Sequence, residues 1–165
     1  MSEGVIFSGH GICTADGKGR FALPLGMRKD VKHSSRDANK LFISLHHDQD
    51  CALGYGIAQK EWLEAEILAD QQAARGRGEP FDVEATRSHY FPGLDELNFD
   101  DGGRFFMPDD IKDMLGFGDA IVFVGNGRNI QMWAPQKYLE YPHRNRRVVY
   151  AVEKFLAEQA AGAGK

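Results

Sequence analysis

Cysteine is scarce in this 165-residue chain: Cys13 and Cys51 are the only two, and neither belongs to a C-x-x-C pair. A disulfide framework and a structural zinc site therefore have little support, and both thiols are expected to be small buried apolar residues. No apolar run approaches the ~20 residues that a membrane helix needs. The opening "MSEGVIFSGHG" also lacks the charged and apolar regions of a signal peptide, so a cytoplasmic protein is expected. A basic surplus is missing too: the formal net charge is -4, which at first argues against a nucleic-acid partner. No Ser-His-Asp or paired-carboxylate arrangement can be defended from spacing. We therefore expect no catalytic residue, no cofactor, no metal and no small-molecule substrate.

What is present is a repeat. "ADGKGRFALP" runs from Ala15 to Pro24 and "DDGGRFFMP" from Asp100 to Pro108. Aligned on the acid, they share Asp16/Asp100, Gly19/Gly103, Arg20/Arg104, Phe21/Phe105 and Pro24/Pro108, five identities in nine positions. Further on, "LGYGIAQK" (Leu53 to Lys60) matches "IQMWAPQK" (Ile130 to Lys137), so a whole half repeats.

The charges divide between the copies. From Lys18 to Lys40, seven basic residues stand against two acidic ones; from Leu94 to Asp113, seven acidic residues stand against two basic ones. The mean charge therefore hides a basic first copy and an acidic second one, and nucleic-acid binding remains open.

Each half reads as a hairpin, a helical turn and a second hairpin. "GICT" and "RFAL" flank a Gly-rich Asp-Gly loop, a hairpin signal, with Phe21 and Leu23 on one face and Arg20 and Ala22 on the other. Pro24 and Pro108 suit the first helical position. Asp109 and Asp110 complement a helix dipole, and Gly116 suits a helix stop. The second hairpins are "LFISL"/"CALGY" and "AIVFV"/"NIQMW", the latter turning on Asn126-Gly127. Between the halves, "AQKEWLEAEILADQQAA" predicts a helix with Trp62, Ala65 or Glu66, and Ala69 along one side and Ile67 and Leu68 beside it. It breaks at the flexible connection "RGRGEP". Val148, Val152, Phe155 and Leu156 predict an amphipathic C-terminal helix whose last residues, "AGAGK", fray. The resulting division is 1–75 for the first repeat with its helix, 76–93 for the connection, 94–142 for the second repeat and 143–165 for the terminal helix and tail.

Other clusters have plainer readings. His46, His47, Asp48, Asp50 and Cys51 read as a polar hairpin loop rather than metal ligands, because adjacent His side chains on an extended chain point to opposite faces. "GNGR" lacks the third Gly of a dinucleotide fingerprint and joins strand to strand. Arg144, Arg146 and Arg147 read as a solvated helix start. Arg20 has two readings: a brace to Asp16 across the turn, worth under ~1 kcal/mol when exposed, or a planar fork for phosphate and base edges.

"FSGHGICTADGKGRFALPLGMR", "LGYGIAQKEW", "LNFDDGGRFFMPDDIKDMLG" and "AIVFVGNGRNIQMW" closely resemble the MraZ family of bacterial transcription regulators, encoded with cell-division and wall-synthesis genes, from Phe7 to about Tyr141. The doubled D-x-x-G-R is the most specific element. The resemblance implies an α+β chain, mainly β with helices: a tandem swapped-hairpin β-barrel of the AbrB type, built from two internal repeats. It implies a nucleoid-associated protein whose chains close into a homo-oligomeric ring, octameric or larger, and which binds double-stranded promoter DNA of its own gene cluster. The implied DNA-binding residues are Asp16, Gly19 and Arg20 with Asp100, Gly103 and Arg104. Lys18 matches a frequent basic residue of the family, replaced by Gly102 in the second loop, and Arg28 adds charge from the basic segment. The chain departs from the family in the connection, where Gly76, Gly78, Pro80 and Pro92 stand and only Arg87 matches an arginine cluster. From the charge division, Arg20 is expected to dominate contact with DNA, and Arg104 to serve mainly as the partner of Asp100. The alternative is a ring-forming protein-interaction module that does not bind DNA specifically.

Overall fold

The computed structural model describes residues 5–163. In chain order the elements are β1 (His10–Thr14), β2 (Phe21–Ala22), α1 (Leu25–Ser34), β3 (Lys40–Leu45), β4 (Ala52–Tyr55), α2 (Ile57–Gly76), α3 (Val83–Tyr90), β5 (Asp95–Asn98), β6 (Arg104–Phe105), α4 (Asp109–Leu115), β7 (Ala120–Gly125), β8 (Ile130–Trp133), α5 (Pro135–Tyr138) and α6 (Arg146–Ala163). The class is mixed α+β with antiparallel sheets, one of six strands in the order β1-β7-β8-β4-β3-β5 and one formed by β2 and β6.

Exchanging β1–β4 for β5–β8 turns the six-strand order into its own reverse. The expected hairpins β3–β4 and β7–β8 form, as Phe42↔Tyr55 and Val122↔Trp133 illustrate. The other expected hairpin does not. β1 and β2 flank the first loop, yet β1 pairs with β7 (Ile12↔Val122) and β2 with β6 (Phe21↔Phe105). Likewise β5 pairs with β3 (Leu41↔Leu97). A lone two-strand ribbon is marginal and leaves unpaired edges, whereas exchange lets each half cover the other's strands. One core consequently takes side chains from both halves, among them Phe7, Phe21, Val31, Leu41, Phe105, Ile121 and Met132.

The helices follow their expected signals with some corrections. Pro24 and Pro108 are caps, one place before the first helical residue, with ψ of 146° and 138°. Asp109 and Asp110 occupy the first turn of α4, and Gly116 ends it at φ +68°. On α2 the buried residues are Ala58, Gln59, Ile67 and Ala74, while Ala65, Glu66 and Ala69 are exposed. The inward stripe thus starts earlier than the Trp62-based reading placed it. The sheet to which the helix docks decides this. The connection is not merely flexible: Asp82 caps α3 by accepting the Ala85 N–H at 2.9 Å, and Arg87 returns to α2 by pairing with Glu64. On α6, Val148 and Val152 are buried against Trp133 and Tyr138, as the spacing predicts. Asn145 caps this helix through the Arg147 N–H at 2.9 Å. The helix continues to Ala163, so Ala161–Ala163 are helical where fraying was expected; residues 164–165 lie outside the described residues.

Candidate nucleic-acid interface

The spacing D-x-x-G-R builds the same cage twice. Asp16 Oδ1 accepts the N–H groups of Lys18 and Arg20, both at 2.9 Å, while Oδ2 accepts Arg20 Nε at 2.9 Å and lies 2.8 Å from its second guanidinium nitrogen. The backbone closes the turn: Gly19 N–H donates to Asp16 O and Asp16 N–H to Arg20 O, both at 2.9 Å. In the second loop Asp100 Oδ1 accepts from Gly102 and Arg104 N–H at 2.9 Å, and Oδ2 accepts Arg104 Nε at 2.7 Å. Gly19 and Gly103 have φ of +81° and +79°, which explains glycine at the fourth position. The acid, the glycine and the arginine of the motif are therefore first the parts of a rigid turn.

The Phe21↔Phe105 pairing sets the two cages side by side. Arg20 lies 3.7 Å from Asp100 Oδ2. Arg28, reaching across from α1, donates to Asp101 O at 3.0 Å, and Leu23 N–H donates to Gly103 O at 2.9 Å. All the sequence candidates, Asp16, Lys18, Gly19, Arg20, Arg28, Asp100, Gly103 and Arg104, thus gather in one place. Asn39 and Asp101 join them through an Nδ2–Oδ1 bond of 3.1 Å. Nothing in the sequence marked these two, because their meeting depends on the exchange of strands.

The loops differ in how they are held. Loop two is tied down by Leu23, Arg28 and Asn39, and Gly103 is buried; loop one leaves Gly17, Lys18 and Gly19 exposed. The arginines differ the opposite way. The Arg20 side chain is 20% exposed between two carboxylates, whereas Arg104 is 48% exposed beside one. The expectation that Arg104 alone serves as a brace is therefore revised: both arginines brace, and Arg20 is the more enclosed. A Cβ on Gly103 would come within 2.8 Å of Arg28 Cδ and 3.2 Å of Leu23 O, but one on Gly19 would meet open space. Gly19→Ala should cost the ~1–2 kcal/mol of a left-handed alanine, and Gly103→Ala distinctly more. Equal losses in chemical denaturation would refute the asymmetry.

Both aspartates are held below the usual carboxylate range, chiefly by the backbone N–H of Arg20 on Asp16 and that of Arg104 on Asp100. Since the folded value is the lower one, the cages are intact above the ordinary aspartate value and open only as pH falls through the depressed folded values. Carboxyl titration followed by NMR should place both transitions below ~4, the unperturbed aspartate value.

Around the site, Lys29 and Lys32 of α1 are exposed, as are Asp109, Asp110 and Asp113 of α4, so the charge division of the sequence persists on the surface. Elsewhere, His46 Nδ1 accepts the N–H groups of Asp48 and Gln49 at 3.0 Å, shaping a polar loop. The His46 and His47 rings stack at 4.6 Å instead of pointing apart, because the chain is not extended there. Burial, reinforced by His47, lowers the His46 pKa. Among the described residues no group of three or more His, Cys, Asp or Glu could hold a metal. Cys51 is fully buried with its thiol pushed up to about 12 by burial, whereas Cys13 is half-buried and its sulfur accepts the Ala22 N–H at 3.2 Å. Gly127 of "GNGR" exchanges backbone hydrogen bonds with Phe7. Arg144, Arg146 and Arg147 are exposed around the start of α6. No helix among the described residues is long and apolar enough to cross a membrane.

No protein-family model matches the chain. Similarity to individual proteins is extensive. The chain is 24% identical over 139 residues to the transcriptional regulator MraZ of Syntrophomonas wolfei, covering 82% of this chain and 86% of the relative. It is 26% identical over 135 residues to that of Saccharophagus degradans, covering 81% and 85%. A shorter match of 46 residues to that of Parvibaculum lavamentivorans reaches 41% identity, over 28% of this chain and 29% of the relative.

Proposed function

On the premise that the chain belongs to the MraZ family of transcriptional regulators, we propose that it binds promoter DNA through its paired D-x-x-G-R loops. The observation that carries this reading is the pair of cages standing side by side on the edge of a basic helix. Each carboxylate is already satisfied by backbone donors and an arginine, so it does not confront a phosphate as a bare charge. The Asp-Arg pairs cancel, and the surplus charge comes from Lys18, Lys29 and Lys32 around the first loop. Lys18 meets phosphates; Arg104, the more exposed fork, reaches phosphate or a base edge; Arg20 holds the two loops in register.

The exchanged strands support a tandem swapped-hairpin barrel of the AbrB type. One chain presents few contacts, so closure of several chains into a ring, octameric or larger, would join weak contacts into one multivalent encounter and reconcile an acidic chain with DNA. The target in this reading is the promoter of the protein's own division and cell-wall gene cluster, in the cytoplasm at the nucleoid.

A gel-shift titration on the DNA upstream of the protein's own gene tests the assignment, with melting curves as a folding control. Lys18→Ala should weaken binding without changing the melting temperature. Arg104→Ala should cost roughly 1–3 kcal/mol of binding per site. Arg20→Ala should lower both binding and stability. Undiminished binding by all three folded variants would refute this role. A ring-forming interaction module without specific DNA binding would instead leave operator and random duplexes indistinguishable.

A further inference from the structure

A cavity of about 150 Å³ lies away from the paired loops, between the outer side of the β3–β4 hairpin, the first turns of α2 and the β7–β8 loop. A cavity of this size has room for a single six-membered ring. Gln59, Trp62, Leu63 and Glu66 line it from α2 at helical spacing. Two buried polar atoms lack hydrogen-bond partners among the described residues, Gln59 Nε2 and Asn129 Oδ1, and both residues line this cavity. Gln59 is only 6% exposed. Its amide orientation is not arbitrary: Oε1 accepts the Gly56 N–H at 2.9 Å, capping α2, which leaves Nε2 as the free donor.

Unpaired buried donors and acceptors are costly, and a native fold rarely keeps two in one place without an occupant. The remaining lining favours a flat and uncharged occupant. Trp62 offers an aromatic wall, with the Arg128 guanidinium 4.8 Å from its ring centre, and Arg128 is ion-paired with Glu66. The charges at the cavity thus cancel each other and leave no net charge to attract an ion.

We propose that this cavity is a binding site for an uncharged one-ring cyclic amide, a lactam or pyrimidine-like ring. Its carbonyl accepts from Gln59 Nε2 and its ring N–H donates to Asn129 Oδ1. The ring lies in the cavity beside Trp62. The expectation of no small-molecule substrate concerned chemistry; this site binds a ligand and has no catalytic group.

Calorimetric titration of the full chain with 2-pyridone tests the site. One saturable site per chain is expected. N-methyl-2-pyridone keeps the carbonyl but loses the ring N–H, and should bind at least about tenfold more weakly because Asn129 Oδ1 is again unpaired. Gln59→Glu retains an oxygen for the Gly56 N–H while removing the donor, and should weaken 2-pyridone by a similar factor with its melting temperature kept. If 2-pyridone shows no saturable binding, the two atoms hold water and the proposal fails. Equal affinity for the N-methyl compound overturns it as well, and that comparison needs no variant to fold.

Discussion

Raising salt from ~50 to ~200 mM should weaken promoter binding by about 10³–10⁵, if a ring engages six to ten phosphates at once. The magnitude separates two modes of binding. A single chain neutralising two phosphates would lose only about tenfold over the same range, because the logarithmic slope scales with the number of counterions released. The exposed Lys18, Lys29 and Lys32 supply the charge, and a net charge of -4 makes the remaining surface repel DNA and steepens the contrast. Fluorescence anisotropy across a salt series, with light scattering for the oligomeric state, gives both numbers. A flat response would remove the electrostatic basis of the assignment. A shallow one would leave the loops as the contact and eliminate the ring as its amplifier.

Phe21→Ala should destabilise the fold by about 3–5 kcal/mol, the range for emptying a buried aromatic site. Phe21 is 0% exposed and pairs with Phe105, itself 1% exposed and in edge contact with Phe123 at 6.4 Å between ring centres. For a chain of this length that loss corresponds to a fall in melting temperature of roughly 6–20 °C. The consequence for the site is larger than for most core positions, because β2 and β6 hold one cage each and touch through this pair. DNA binding should therefore drop even below the transition, while Val152→Ala, which empties the distant core under α6, should lower stability and leave binding intact. A loss under ~1 kcal/mol for Phe21→Ala would mean that the pair does not hold the loops.

Much of the site was legible because its chemistry is local. In D-x-x-G-R the acid reaches N–H groups two and four positions on, the glycine takes the left-handed conformation, and the arginine returns to the acid, all within five residues. The caps at Pro24, Pro108 and Gly116, the hairpin around Asn126-Gly127 and the buried stripe of α6 are legible for the same reason: spacing and turn chemistry need no distant partner. The helix α3 was missed because Gly78 and Pro80 mark a break so strongly that the Asp82 cap behind them was passed over.

The sequence by itself determined two similar halves, opposite in charge, each with a rigid acid-glycine-arginine turn, since these follow from residue identity and short-range hydrogen bonding. Only the tertiary structure decided that β1 and β2 leave each other for β7 and β6, that Arg20 is wedged between Asp16 and Asp100 while Arg104 stays open, and that Arg28 and Asn39 clamp the second loop. Strand edges can be satisfied by any partner of matching alternation, and neither propensity nor charge count distinguishes a neighbour in the chain from a neighbour in the other half. That choice comes from closing one shared core with the fewest unpaired edges.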